Sequence, residues 1–113
     1  MQSNYLIATD IGLRIDSVSD ILEAIGQCYG KSGLLLTEED VTREFFELQN
    51  GLAGELFQKC TNYQLPLALV VKDLSVYSPR IAELAFEHRN HRLIRFFDDI
   101  ILAKTWLQNS TKL

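Results

Sequence analysis

Residues 65–71 read Leu-Pro-Leu-Ala-Leu-Val-Val, seven apolar side chains without a polar interruption. A strand with one wet face alternates apolar and polar residues; a continuous run means that both faces are covered. The run is too short for a membrane helix, which needs roughly 18 apolar residues or more. Pro66 lacks a ladder donor and fits only at the start of a strand. The segment therefore predicts an inner strand of a mostly parallel sheet, with helices packed on its two sides.

The rest of the chain supplies those helices. Ser17 with Asp20 three positions later is a capping-box signal. Val18, Ile21, Leu22, Ile25, Cys28 and Tyr29 follow at helical spacing, and Gly30 stands where a helix ends. Asn50 is a plausible cap for a second long helix with Leu52, Leu56, Phe57, Cys60 and Tyr63 on one face. Gly51, Ala53 and Gly54 are small. Glycine inside a helix costs about 1 kcal/mol against alanine, so close approach to the sheet is the expected compensation. Ser78-Pro79 opens a third helix with Ile81, Leu84, Ala85 and His88 inward. Asp98 or Asp99 caps a fourth with Ile100, Ala103, Trp106 and Leu107. Strands are expected at Tyr5–Thr9, Leu13–Asp16, Gly33–Thr37, Leu65–Val71 and Leu93–Phe97, with Thr42 capping a short helical turn that carries Phe45, Phe46 and Leu48. The prediction is a single α/β domain over residues 1–113, with a mostly parallel mixed sheet of about five strands and four helices. Its tail, 108–113, is expected to fray.

The chain has 113 residues, 47% of them apolar and 23% charged, which suits one globular domain with its own core. The net charge of −4 argues against generic binding to a nucleic-acid backbone, which needs a dense positive field. The first residues carry no basic run, and no window is long and apolar enough to span a bilayer, so a soluble, cytoplasmic protein is expected. Cys28 and Cys60 belong to no Cys-x-x-Cys pair and fall on apolar helix faces, so they read as buried, inert thiols.

Two resemblances add to this reading. The order of strands and helices is similar to that of the STAS domain, the fold of bacterial anti-sigma-factor antagonists. In sequence, Phe45-Phe46-Glu47-Leu48, Gly51-Leu52-Ala53-Gly54-Glu55, Gln58-Lys59, Asn62-Tyr63 and Leu67-Ala68 resemble the core motif of an uncharacterised bacterial family, domain of unknown function 4180. Ser75 to Ser78, Glu87 and Arg89-Asn90 resemble its C-terminal motifs. STAS antagonists are switched by phosphorylation of a serine at the start of the helix after the third strand. Aligned on Gly51-Leu52, that position is Asn50, which has no hydroxyl. The resemblance thus implies a docking surface without that phosphorylation switch. Thr42, nearby, has a hydroxyl that can accept phosphate, as any exposed threonine can.

Glu47, Glu55 and Asp73 are placed to line one edge of a shallow cleft beyond the carboxyl ends of parallel strands. Equally, Glu55 with Lys59 is a favourable (i, i+4) pair, and both glutamates suit a helix start. His88 and His91 stand three apart beside Glu87, but spacing places no third metal ligand, so no metal or cofactor is expected. There is no nucleophile elbow and no phosphate-binding glycine loop. Residues 1–66 carry four basic and ten acidic side chains, a net of −6; residues 67–113 carry seven basic and five acidic, a net of +2. Arg89, Arg92 and Arg95 with His91 form a basic patch that suits an acidic partner, a second copy, or plain solvation of an edge strand. Phe45 and Phe46 point about 100° apart on a helical turn, so either one anchors a partner or the turn lies in a groove that buries both.

The leading expectation is a non-catalytic, STAS-like protein-interaction or regulatory module. Its partner would bind through Phe45, Glu47, Asn50 and Glu55. The alternatives are a small-molecule-binding domain or cryptic enzyme using the same edge with Asp73, Tyr77 and Ser78, and a structural homodimer.

Overall fold

The computed structural model describes residues 4–110. Strands β1 (Leu6–Ile7), β2 (Leu34–Thr37), β3 (Leu67–Val70) and β4 (Ile94–Phe97) form one sheet in that spatial order. Every neighbouring pair is parallel, with Leu34 opposite Leu67 and Leu67 opposite Ile94. Helices α1 (Val18–Gln27), α2 (Leu52–Asn62) and α3 (Pro79–Glu87) are the crossovers, and α4 (Ile100–Ser110) follows the last strand. Right-handed crossovers between parallel neighbours taken in chain order deposit all their helices on one face. The packing agrees. Leu34, Leu36, Leu67, Leu69 and Ile94 point toward Ile21, Ala24, Leu56, Cys60 and Ile81 of α1–α3. Leu35, Ala68 and Val70 point the other way, toward Ala103 and Leu107 of α4. The sheet is therefore covered on both sides, as the run at 65–71 requires.

The sheet has four strands, all parallel, rather than about five in a mixed arrangement. The segment expected as a second strand, Leu13–Asp16, makes only an isolated bridge between Ile15 and Val41. Its alternation is real, since Leu13 and Ile15 are buried while Arg14 and Asp16 are exposed and paired at 2.9 Å. What is missing is a ladder. β1 tightens into a 3₁₀ turn at Ala8–Ile11, and the chain after β2 coils at Glu38–Asp40, so each side offers a single residue for pairing.

Local signals placed the helices well. The Ser17 hydroxyl accepts the Asp20 N–H, and the Asp20 carboxylate accepts the Asp16 N–H at 2.9 Å. Gly30 takes φ +79° after α1. Asp99 accepts the Ile101 N–H at 2.7 Å and so caps α4, which runs through 108–110; the other tail residues, 111–113, lie outside the described residues. The small residues of α2 act differently from expectation. Ala53 is buried, but Gly51 and Gly54 are exposed, and a Cβ on either meets nothing within 4 Å. Gly51 is required by its backbone, φ +81°, rather than by close approach. The glycine that does allow close approach is Gly33, where a Cβ would lie 2.8 Å from Leu107 of α4 and 3.2 Å from the Pro66 carbonyl oxygen.

Candidate functional site

The loop before α2 is built on its two phenylalanines. Phe45 and Phe46 lie in a 3₁₀ turn, Arg43–Phe46, with ring centroids 5.4 Å apart in an edge-to-face arrangement. Phe46 also stacks on Tyr77 at 4.1 Å. Both phenylalanines belong to the main core, at 0% and 2% exposure. Phe45 is thus not a surface anchor, as had been one expectation; the turn lies in a groove and buries both rings, because the tight turn directs adjacent side chains into the same core from two sides. A second 3₁₀ turn, Leu48–Asn50, leads into α2. The Asn50 amide donates to the Glu44 carbonyl oxygen at 2.6 Å, and its carbonyl accepts the Leu52 N–H at 2.9 Å. Asn50 therefore closes the loop and accepts the first N–H of the helix, whose N-cap position is taken by Gly51 rather than by Asn50. Around it Glu47, Gln49, Asn50, Gly51 and Gly54 are exposed, and Glu55 is half-buried beside Lys59 at 3.7 Å. The amino end of α2 is an open, braced, acidic ridge carrying Glu44, Glu47 and Glu55.

The residues of the alternative site sit beyond the carboxyl end of β3. Asp73 accepts from the Ser75 hydroxyl and N–H at 2.6 and 3.0 Å, which holds its carboxyl below the ordinary carboxylate range. Tyr77 donates its hydroxyl to Glu38, and Arg43 lies 5.2 Å from its ring centroid. Burial first, then the bond to the Glu38 carboxylate, pushes the phenol up to about 12. The other Glu38 oxygen accepts the Lys72 N–H at 3.0 Å. Ser78 precedes Pro79 at the start of α3 and makes no side-chain capping bond. The Tyr77 hydroxyl is thus engaged within the fold, whereas Asp73 is exposed and bonds Ser75 through one carboxylate oxygen.

Two structural carboxylates escaped the reading of the sequence. Glu38 ties the end of β2 to Tyr77 and Lys72. Asp40 is buried and accepts from the Thr9 hydroxyl at 2.9 Å, the Thr37 N–H at 2.8 Å and the Thr37 hydroxyl at 3.0 Å. The signal for Asp40 was present as Thr37-x-x-Asp40, a capping-box spacing hidden within an acidic run that reads as solvated. Nothing local marks Glu38, since its partners are 34 and 39 residues away.

His88 and His91 lie side by side, ring centroids 5.0 Å apart, and each has its Nδ1 engaged by backbone. The His88 Nδ1 bonds the Leu84 carbonyl oxygen at 2.8 Å, while the His91 Nδ1 accepts both the Leu93 and Ile94 N–H groups at 3.0 Å. Burial, then the neighbouring His88, Arg92 and Arg95, lowers the His91 pKa from 6.5. Among the described residues no three His, Cys, Asp or Glu side chains are grouped as a metal site requires. Burial raises the Cys28 thiol to about 11 and the Cys60 thiol to about 12, so neither is a thiolate near neutral pH. Among the described residues no helix is long and apolar enough to cross a membrane.

A family model described as Domain of unknown function (DUF4180) matches residues 1–107, and the chain belongs to that family. No curated protein and no solved structure matches the chain.

Proposed function

We propose that this domain is a non-catalytic interaction module that docks a protein partner on the amino end of α2 and the loop before it. The observation that carries this reading is the braced, exposed ridge at Glu47, Asn50 and Glu55. Phe45 and Phe46 stiffen it from behind, and Asn50 locks its backbone. A preformed surface loses little entropy on binding. The surface cavities of about 310 to 560 Å³ are lined by residues other than Glu47, Asn50 and Glu55, although Asp73 lines one of about 510 Å³; an exposed ridge suits a protein better than a small molecule. The engagement of the Tyr77 hydroxyl with Glu38 weighs in the same direction. The exposed Glu44 and Glu47 favour a partner with a basic face. The STAS-like element order extends the proposal to a regulatory role in a bacterial cytoplasm, with Asn50 in the place of the phosphorylated serine and docking therefore independent of phosphate at that position.

The test is affinity capture from the native host with the wild-type chain and with Glu47→Arg and Glu55→Arg, alongside native mass spectrometry. A partner held by the wild type and lost from both variants, at unchanged melting temperature, supports the ridge. Equal capture by all three chains refutes it. A dimer that both variants dissociate identifies the partner as a second copy.

A further inference from the structure

The amino-terminal edge of the sheet gathers positive charge that the described chain does not neutralise. A cavity of about 560 Å³ opens there, where the segments leading into β2, β3 and β4 meet the last turns of α4. Lys31, Arg92 and Arg95 line it. Arg14, Lys59 and Arg80 elsewhere pair with carboxylates, whereas none of these three does among the described residues. The two arginines have neutral partners. Arg92 donates to the Gln64 side-chain oxygen at 2.8 Å, and the Arg95 Nε donates to the His91 carbonyl oxygen at 2.7 Å. Such bonds aim a guanidinium without cancelling its charge. The Arg95 guanidinium carbon also lies 5.3 Å from the centroid of the Trp106 ring.

The remaining lining is mixed. Trp106, Pro66 and Leu93 supply apolar wall, and Asn109 supplies an amide. Ser32 also borders the cavity, with its hydroxyl shielded from solvent. The depressed pKa of His91, adjoining the cavity, reflects in part the positive field of Arg92 and Arg95.

We propose that this cavity binds a small phosphorylated molecule with a flat or apolar body. Three cations from two segments, Lys31 before β2 and Arg92 and Arg95 at β4, suit a tetrahedral group that offers oxygens in several directions, while a planar carboxylate is satisfied by one guanidinium fork. Trp106 and Pro66 suit the body of such a ligand, as stacking surfaces do in small-molecule sites. The opposite edge of the sheet carries Glu38, Glu39, Asp73, Asp98 and Asp99, so an anion is steered away from the usual crevice of a parallel sheet and toward this one.

The chain has a single tryptophan, Trp106, so its emission reports on this cavity directly. Titration with pyrophosphate, AMP and ADP, followed by fluorescence and calorimetry, should give saturable binding that weakens as salt rises. Lys31 and Arg92 are exposed, so Lys31→Gln and Arg92→Gln should keep the fold while weakening binding about tenfold each. Adenosine, without phosphate, should not saturate the signal. The proposal is overturned if none of the three phosphates binds, if the two variants bind as the wild type does, or if citrate competes as well as the phosphates.

Discussion

The two edges of one parallel sheet handle their charges in opposite ways. At the carboxyl edge, Glu38, Asp40 and Asp73 accept hydrogen bonds from backbone and side chains of the loops that follow β1, β2 and β3. These carboxylates hold the loops in place. At the amino edge, Arg92 and Arg95 donate to neutral oxygens, and among the described residues neither they nor Lys31 pair with a carboxylate. The contrast separates charge that stabilises a fold from charge left available to something outside it.

The comparison is most sharply tested at Asp40. Replacing this buried carboxylate with alanine strands the Thr37 N–H and two hydroxyls, and should cost about 3 kcal/mol in urea unfolding. A loss no larger than that of an exposed carboxylate such as Glu39→Ala would break the contrast. At the amino edge, His91→Ala leaves the Leu93 and Ile94 N–H groups without their acceptor, at a cost of about 1–2 kcal/mol. The same residue makes this edge sensitive to pH. Its folded pKa is depressed below the 6.5 of the unfolded chain, so its stabilisation is complete above about pH 6.5 and is lost as pH falls through the folded value. Urea midpoints from pH 8 to pH 5 should therefore decline more for the wild type than for His91→Ala; parallel curves would remove His91 from the account. The smallest effect is expected at the ridge. Gly54 has a helical backbone and open space around its Cβ, so Gly54→Ala should stabilise the domain by about 0.5–1 kcal/mol. Destabilisation there would show that the amino end of α2 packs more tightly than its exposure indicates.

Much of this was legible in the sequence where the signal is local. Ser17-x-x-Asp20, Ser78-Pro79 and the run at 65–71 each name their own conformation, because a cap, a proline and a two-sided apolar strand act within a few residues. The strand expected at Leu13–Asp16 shows where that logic stops. Alternation reports burial, and Leu13 and Ile15 are buried, but a strand also needs a partner chain running alongside it. The site divides in the same way. That Asn50 serves the start of α2 was readable from residue type, but the cap position itself falls one residue later, at Gly51. The burial of Phe45 and Phe46 was not, because Tyr77, more than thirty positions away, completes their groove.

By itself the sequence determined an α/β domain with a mostly parallel sheet, the positions of its four helices, its inner strand, and the excess of acid in its first part over its second. Those properties follow from periodicity, capping and composition, which are set within short windows or by simple counting. The tertiary structure alone decided that α1, α2 and α3 share one face of the sheet, that Glu38 reaches Tyr77, and that Lys31, Arg92 and Arg95 surround one cavity with Trp106. Each of these depends on how the crossovers bring distant segments to the same edge, and no local pattern records that geometry.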